Sequence, residues 1–495
     1  MVIGADFRVK GMTVYPGNVH LGSITRNGVV PGGKALPDEA TRNALARPLQ
    51  GVGVKLITTN GLTDRALISL RANDLFAGIR GADDMIEAAA LHGTQGMVQV
   101  YSPELFKGVE DLLNKNPKLR GAVLARQIGL SPIDLANLTF SLTEPNAFFH
   151  AQISHPDPKN RLSSDAWQTS GGGLYSAKEK LSIHALATVL SYAQNLFEGL
   201  KVIKRRDGSL WIINPEYNAR RMQDSAKRLN LTPVPVDLFI KSLFEVVMAN
   251  SEYVPNFEDG ILYVRPVQAG IGAGIGVAPS SEETFFIYVT PVGAYYRSST
   301  GEAAVGLRLL ANEEFQRAAE RGTGHIKAAG NYGGGIFVST QAKADNYSDA
   351  AYIRRRADGK LIFEEAGTSN LFVLCKEDGG YILRTPRLNG SILPGSTRNI
   401  IIAEARRLGI RVVDDEDLTV DFVKEHARRA FSSGTAVGMS PIDFIKVLES
   451  EGATSDLDFT GDKDAVRTVD RLKEHLFGIF SGDVEDINHW MVRVA

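Results

Sequence analysis

A lysine set among glycines is the first candidate for chemistry in this chain. Lys327 stands in GTGHIKAAGNYGGG (322–335), flanked by Gly322, Gly324, Gly330 and the triplet Gly333–Gly335. Glycines let a backbone come close to a ligand. A lysine that is desolvated or set beside other positive charge yields a free amine near neutral pH, and such an amine attacks carbonyl carbons. The plain alternative is a surface loop with a solvated ammonium. The segment is not a P-loop, because G-x-x-x-x-G-K-[ST] is missing. Glycines 270, 272, 274 and 276 follow a strand-like run, yet they make no G-x-G-x-x-G. Val277-Ala278-Pro279 stands where a helix should begin, so that stretch reads as a loop. The nine histidines form no H-E-x-x-H and no paired metal spacing, so no metal is expected. His325 reads as a local contact. Cys375, in a strand-like run, reads as a small core residue.

The chain that must position Lys327 has 495 residues, enough for about three domains. With 43% hydrophobic and 23% charged residues it has the composition of a folded globular protein, not of a disordered or collagen-like one. The formal net charge of −2 leaves no overall basic field for nucleic acid or an anionic membrane. One cysteine cannot form an intrachain disulfide, which fits a reducing compartment, and a cytoplasmic location is expected. MVIGADFRVK carries charges where a secretory signal would be apolar. No run approaches the ~18 apolar residues of a membrane span.

Residues 1–135 differ from the rest. Short apolar runs at 52–58 and 97–101 read as strands, and helical spacing is expected over 63–79, 82–92 and 103–114. From about 139 a denser αβ pattern begins. Two hairpins are expected around Asp207-Gly208 and Asp358-Gly359, and a third across residues 376–380. Helices are expected over 222–229, 236–250, 397–408 and about 463–480. The stretch PVGAYYRSSTGE (291–302) reads as a linker.

An ordered series of segments carries a resemblance: YAQNLFEGLK (192–201), NARRMQDSAKRL (218–229), LYVRP (262–266), PVGAYY (291–296), GHIKAAGNYG (324–333), EAGTSNLF (365–372), ILPGSTR (392–398) and SSGTA (432–436). Over about 140–495 the chain resembles class IV (fold type IV) pyridoxal-phosphate aminotransferases, and more narrowly branched-chain amino acid aminotransferases. The resemblance implies an α/β (α+β) fold of two domains. Their expected bounds are 139–295 and 303–495, with a linker at 296–302 and an extra mixed αβ extension of unknown role at 1–138. It implies pyridoxal 5'-phosphate as cofactor and amino acids and 2-oxo acids as substrates. The Leu, Ile and Val side chains and glutamate/2-oxoglutarate are the expected pair. A homodimer is implied, because the family completes its pocket across subunits. No nucleic-acid or membrane partner is expected.

The resemblance also assigns residues. Lys327 aligns with the family's Schiff-base lysine, whose amine then shuttles a proton at the substrate Cα. Glu365 aligns with the carboxylate that keeps the cofactor's pyridine nitrogen protonated; Glu364 is the adjacent competitor, on the opposite strand face. Tyr332 aligns with a tyrosine on the cofactor's phenolic oxygen. Arg221 aligns with a phosphate arginine, a fixed fork suited to phosphate. Ser396 and Thr397 open a helix whose N-terminus suits an anion, although simple N-capping is the plain alternative. Thr435 adds a hydroxyl. Substrate is expected against Tyr192, Phe197, Tyr263, Tyr295 and Thr368, with its carboxylates at the Ala436 N–H and at Arg265.

Some positions depart from the family. Ala329 stands where glycine is usual, and Val437 and Ser440 stand where animal members carry C-x-x-C. Two rival readings remain. One is another fold type IV enzyme acting on D-amino acids, amines or a specialised substrate. The other is a cofactor-binding sensor, whose support is a helix–turn–helix-like stretch at 122–140. That stretch has Asp134 and no Lys or Arg from Pro132 to Thr139, so it lacks the charge DNA binding needs.

Overall fold

The computed structural model describes residue 138 and residues 141–154, 162–293 and 306–495, except 436, 437, 451 and 495, together with short strands before residue 100. The chain divides into two compact units. One is Met1–Asp134 with Ser251–Tyr253, and the other is Leu135–Asn250 with Val254–Ala495. In the first, Thr13–Val14, Val19–His20, Ser69–Arg71 and Met97–Gln99 form a four-stranded sheet, and Val2–Ile3 pairs with Ala66–Leu67. The helix expected over 63–79 is therefore strand at 66–67 and 69–71. A short apolar run satisfies both periods equally. The expected strand at 52–58, the helices at 82–92 and 103–114, the helix pair at 122–137 and the linker 296–302 lie outside the described residues.

The second unit holds two sheets. The first is built from β1 (Ala147–Ser154), β2 (Gly173–Ser176), β3 (Asn195–Phe197), β4 (Leu200–Lys204), β5 (Leu210–Ile213), β6 (Ile261–Gly270) and β7 (Glu282–Val292). Its order is β2–β1–β7–β6–β4–β5, with β3 also on β6, and these pairings are antiparallel. Alternation sorts the faces. Phe285, Ile287 and Val289 of β7 are buried. Phe285 meets Phe149, Trp167 and Phe239, the last on α3 (Val236–Ala249), with ring centroids 6.0–6.2 Å apart. Burying each such ring is worth roughly 1.5–3 kcal/mol. Helices α1 (Thr188–Tyr192) and α2 (Pro215–Arg228) complete this part. The hairpin expected at Asp207-Gly208 is the β4–β5 turn, with Gly208 at φ +82°.

The second sheet closes on itself. Its strands are β8 (Leu307–Asn312), β9 (Asp349–Arg355), β10 (Leu361–Ala366), β11 (Ser369–Glu377), β12 (Gly380–Arg384), β13 (Arg411–Val413), β14 (Leu418–Thr419), β15 (Ala427–Gly434), β16 (Gly438–Leu448) and β17 (Thr454–Asp458). Strands β11, β15, β16, β8, β9 and β10 follow in ring order, and β10 pairs back onto β11. β8 is parallel to both its neighbours. The barrel interior is filled by Leu309, Ile353, Phe363, Leu371, Val373, Cys375 and Ile445. Burial pushes the Cys375 thiol up to about 12, as an inert core residue requires. Outside it pack α5 (Ser396–Arg407) and α7 (Lys463–Ser481), the latter N-capped by Asp462; α6 (Val420–His426) leads into β15. The final strand, β18 (Met491–Arg493), pairs with β5 of the first sheet, so the chain's end crosses back out of the expected 303–495 segment. Among the described residues no helix is long and apolar enough to cross a membrane, and no cluster of three or more His, Cys, Asp or Glu is set to hold a metal.

The surface-loop alternative for the lysine segment fails in part. The glycine-rich stretch 322–335 is not wholly loop: α4 runs Gly330–Ala344 and includes Gly333–Gly335. Its helical period was invisible because only Val338 and Ala342 are buried. Gly335 is demanded by packing, since a Cβ there would sit 2.8 Å from the Tyr352 hydroxyl on β9.

Glu404 of α5 ties the returning end to the barrel side. Its carboxylate accepts from Asn488, the Trp490 indole and Arg407, and meets His475 of α7. Burial opposes ionisation, but these bonds outweigh it and hold the carboxyl at about 2. A depressed carboxyl contributes stability above its ordinary value near 4.5, and that contribution fades as pH falls toward 2. Glu404→Gln should therefore flatten the fall of Tm between pH 5 and 3. Thermal melts with the wild-type slope would contradict this.

Candidate active site

The site is set by a proline inside a strand. Pro266 of β6 has no N–H, so the Glu198 position opposite accepts no ladder bond from it, although the Glu198 N–H donates to the Pro266 carbonyl at 2.8 Å. Strands β3 and β4 are separated by Glu198-Gly199 at this point. Gly199 is required there, because a Cβ would stand 2.3 Å from the Tyr263 hydroxyl. Glu198 is fully buried and is gripped by Arg221 of α2 through Nε (2.8 Å) and Nη2 (2.7 Å), and by Asn218 at 2.8 Å. Burial alone would raise the Glu198 carboxyl; the Arg221 charge and hydrogen bonds outweigh it and bring it below the ordinary value. The remaining Arg221 contact donates from Nη1 to the Pro394 carbonyl at 2.8 Å, which draws α2 against the start of α5.

A cavity of about 450 Å³ opens above this floor. Its lining includes Phe197, Gly199, Tyr263, Arg265, Lys327, Ala329, Tyr332, Thr368, Ser369 and Thr435. The Lys327 amine donates to the Tyr332 hydroxyl at 3.2 Å and lies 4.7 Å from the Phe197 ring centroid. Phe197 and Tyr332 meet edge-on at 4.8 Å. The lysine backbone is fixed from two sides: its N–H donates to Ser225 Oγ at 3.1 Å, and its carbonyl accepts from the Phe197 N–H at 3.2 Å. Arg265, two residues beyond Tyr263 and on the same face, donates to the Tyr263 hydroxyl at 3.0 Å and lies over the Phe197 ring at 4.7 Å. Its buried Nε has no hydrogen-bond partner among the described residues. Thr435 Oγ donates to the Gly199 carbonyl at 3.1 Å, joining β15 to the first sheet.

The acids lie deeper. Glu365 and Glu364 both end buried, not solvated, on opposite faces of β10. Glu364 meets Arg354 at 3.1 Å and Ser391 Oγ at 2.6 Å. Glu365 Oε1 accepts from the Leu393 N–H at 2.9 Å and from Asn370 at 3.3 Å, while Oε2 lies 2.5 Å from Arg317 Nε. Burial raises the Glu365 carboxyl above its ordinary value; Arg317, the Leu393 N–H and Lys327 oppose this only in part. Arg317 was not among the residues expected from sequence. Neither were Glu198 and Ser369.

Of the expected residues, Phe197, Tyr263, Arg265, Lys327, Tyr332, Thr368 and Thr435 share the cavity. Arg221, Glu365, Ser396 and Thr397 are not in its lining. Tyr192 stands apart and is 40% exposed, its hydroxyl donating to the Ile275 carbonyl. The chain turns left-handed at Ala193, which ends α1 and separates Tyr192 from β3. Tyr295 and Ala436 lie outside the described residues.

Residues 195–445 match the model of the amino-transferase class IV family. The chain is 36% identical over 316 residues to branched-chain-amino-acid aminotransferase 5, chloroplastic, of Arabidopsis thaliana, covering 64% of this chain and 72% of that protein. It is 39% identical over 318 residues to a chloroplastic branched-chain amino acid aminotransferase of Humulus lupulus, with the same coverage. It belongs to the class IV aminotransferases. The branched-chain aminotransferase of Thermoproteus uzoniensis, solved with norvaline, shares its fold at a TM-score of 0.53 and 25% identity over 65% of this chain and 97% of that one. A Thermobaculum terrenum relative solved in its PLP form, 20% identical over 71% of this chain and 99% of that one, gives the same TM-score and bears on the fold alone. The α/β fold and the aminotransferase activity expected from the sequence are thus established. The expected cytoplasmic location is overturned: curated relatives of this chain are named chloroplastic or mitochondrial.

Class IV aminotransferases work with pyridoxal 5'-phosphate, and the residues here fit it. An aldehyde-bearing phosphate ester needs an amine, and Lys327 supplies one beside a phenol. It needs phosphate donors: among the described residues no side chain caps the first turn of α5 after Gly395, which leaves backbone N–H groups for an anion. The buried hydroxyl of Ser369, which lines the cavity, has no partner among the described residues.

Gly199→Ala should displace the Tyr263 hydroxyl from Arg265 and destabilise the fold by roughly 1–3 kcal/mol, the cost of overpacking a filled site. Denaturant midpoints check this. A variant as stable as wild type, with Tyr263 unmoved in its structure, would contradict the constraint.

Proposed function

We propose that this chain transaminates L-branched-chain amino acids, with glutamate and 2-oxoglutarate as the second substrate pair. The observation that carries the reading is the Lys327 amine held at 3.2 Å from a phenol in a cavity walled by aromatic rings and one arginine. Apolar walls suit Leu, Ile and Val side chains, and the Arg265 guanidinium suits the second carboxylate of glutamate. The names of the relatives point the same way.

In this reading pyridoxal phosphate, when bound, supplies the electron sink that stabilises negative charge at the substrate Cα. Lys327 would hold the cofactor through its amine, and the same amine would move the proton at the substrate Cα. Tyr332 keeps that amine in place. Glu365 serves the pyridine nitrogen. Arg221, the first turn of α5 with Ser396 and Thr397, and Thr435 hold the phosphate. Phe197 and Tyr263 exclude water from the apolar side chain. The division into 1–138, 139–295 and 303–495 about a linker at 296–302 remains part of the proposal, as does a homodimer. Exposed Leu186, Leu190, Ile275 and Val277 near Tyr192 support the dimer. A pocket completed by a second copy would also account for Tyr192 standing off this cavity. Light scattering after size exclusion tests it, and a monomer at micromolar concentration would end it.

Lys327→Ala should abolish turnover, and spectra of each half-reaction with leucine and glutamate should both lose their change. Arg265→Met should raise KM for glutamate about 10-fold or more, as loss of a charge-assisted contact requires, with leucine changed less than about 3-fold. Equal losses for both substrates would contradict the role of Arg265. A panel adding methionine, D-alanine and a primary amine separates the rival activities, since one relative is named a methionine aminotransferase.

A further inference from the structure

Arg317 sits in the irregular stretch between β8 and α4, with its side chain only 4% exposed. Three separate parts of the site meet it. Nη2 donates to the Gly324 carbonyl at 2.9 Å, three residues before Lys327, and to the Ser391 carbonyl at 2.8 Å, two residues before the Leu393 N–H that holds Glu365. Nε lies 2.5 Å from Glu365 Oε2, with its N–H off the line of a hydrogen bond, so the contact is an ion pair. The two loops it bridges are pressed together: a Cβ on Gly324 would stand 2.3 Å from the Ser391 carbonyl.

The Glu365 oxygens are unequal. Oε1 accepts two hydrogen bonds, from Leu393 and Asn370. Among the described residues nothing donates an aligned hydrogen bond to Oε2, which therefore keeps acceptor capacity for a ligand N–H. Because Oε1 is already committed to two donors, a proton taken up by Glu365 would sit on Oε2 and make it a donor that opposes a ligand N–H. A buried carboxylate stays ionised only if paired. The charges acting on Glu365 are Arg317 and Lys327, which favour ionisation, and Glu364, which opposes it.

Building on the proposed function, we infer that Arg317 is the positioning residue of this site: it keeps the Glu365 carboxylate charged with Oε2 left open to accept from a cofactor N–H, and fixes the lysine loop and the 391–393 loop around it. Arg317 does not itself touch substrate. A merely structural arginine would stabilise the fold without controlling the state of Glu365.

The test compares wild type with Arg317→Met, Arg317→Lys and the double variant Arg317→Met/Glu365→Gln. Infrared difference spectra of the cofactor-free proteins report a protonated carboxyl, and equilibrium dialysis reports retention of pyridoxal phosphate. Arg317→Met is expected to show a carboxyl band that is absent from wild type and lost in the double variant, and to bind cofactor about 10-fold or more weakly. Arg317→Lys, which keeps a charge but not the fork, is expected to lack the band and to bind about 3- to 10-fold more weakly, which keeps the test open if the methionine variant does not fold. Cofactor binding within twofold of wild type in either folded variant overturns the inference. So does weakened binding in Arg317→Met without the carboxyl band. If wild type itself binds no pyridoxal phosphate, it is the proposed function that fails, and the infrared comparison still decides whether Arg317 holds Glu365 charged.

Discussion

Two carboxylates buried beside two guanidinium groups, Glu198 with Arg221 and Glu365 with Arg317, are the constraint on which this site depends. Removing water from four charges is expensive, and such pairs contribute little net stability compared with apolar side chains of the same size. Breaking one, by contrast, leaves an uncompensated buried charge, at a cost of about 3–5 kcal/mol. Their value here is therefore positional. Arg221 ties α2 to Pro394 at the head of α5, and Arg317 ties the lysine loop to the loop that leads into the same helix. The cavity between the two sheets has its chemistry fixed at both ends by these contacts.

What lies between them follows from strand alternation. Tyr263 and Arg265 share a face of β6, Pro266 interrupts the ladder beside them, and Gly199 leaves room for the tyrosine hydroxyl. The Lys327 amine faces the rings of Phe197 and Tyr332, an apolar but electron-rich setting in which an amine is held without being neutralised by a carboxylate. The nearest acid elements of the site are instead committed to arginines. That separation leaves the amine free for covalent chemistry and the acids free to act as fixed charges.

Much of this was legible in the sequence. Lys327 was marked by its glycines, and Tyr332, Arg221 and Glu365 by the order of the surrounding motifs. The Asp207-Gly208 hairpin and the helices at α3, α5 and α7 follow from turn chemistry and apolar spacing. Other parts were not legible for stated physical reasons. Arg317 lies in an irregular stretch without a period, and its importance arises only when residues 324, 365 and 391 are brought together in space. Glu198 was hidden inside a motif read for its aromatic neighbour. The glycine-rich start of α4 buries too few side chains to announce a helix, and the return of β18 to the first sheet is a tertiary pairing that three residues cannot signal.

The central claim is that the amine of Lys327 is the group that captures a carbonyl cofactor. Borohydride reduction of the protein loaded with pyridoxal phosphate, followed by peptide mass mapping, tests it most directly. The account predicts one stable pyridoxyl adduct per chain, on Lys327. An adduct on Lys201 or another lysine, or no adduct at all, would contradict it.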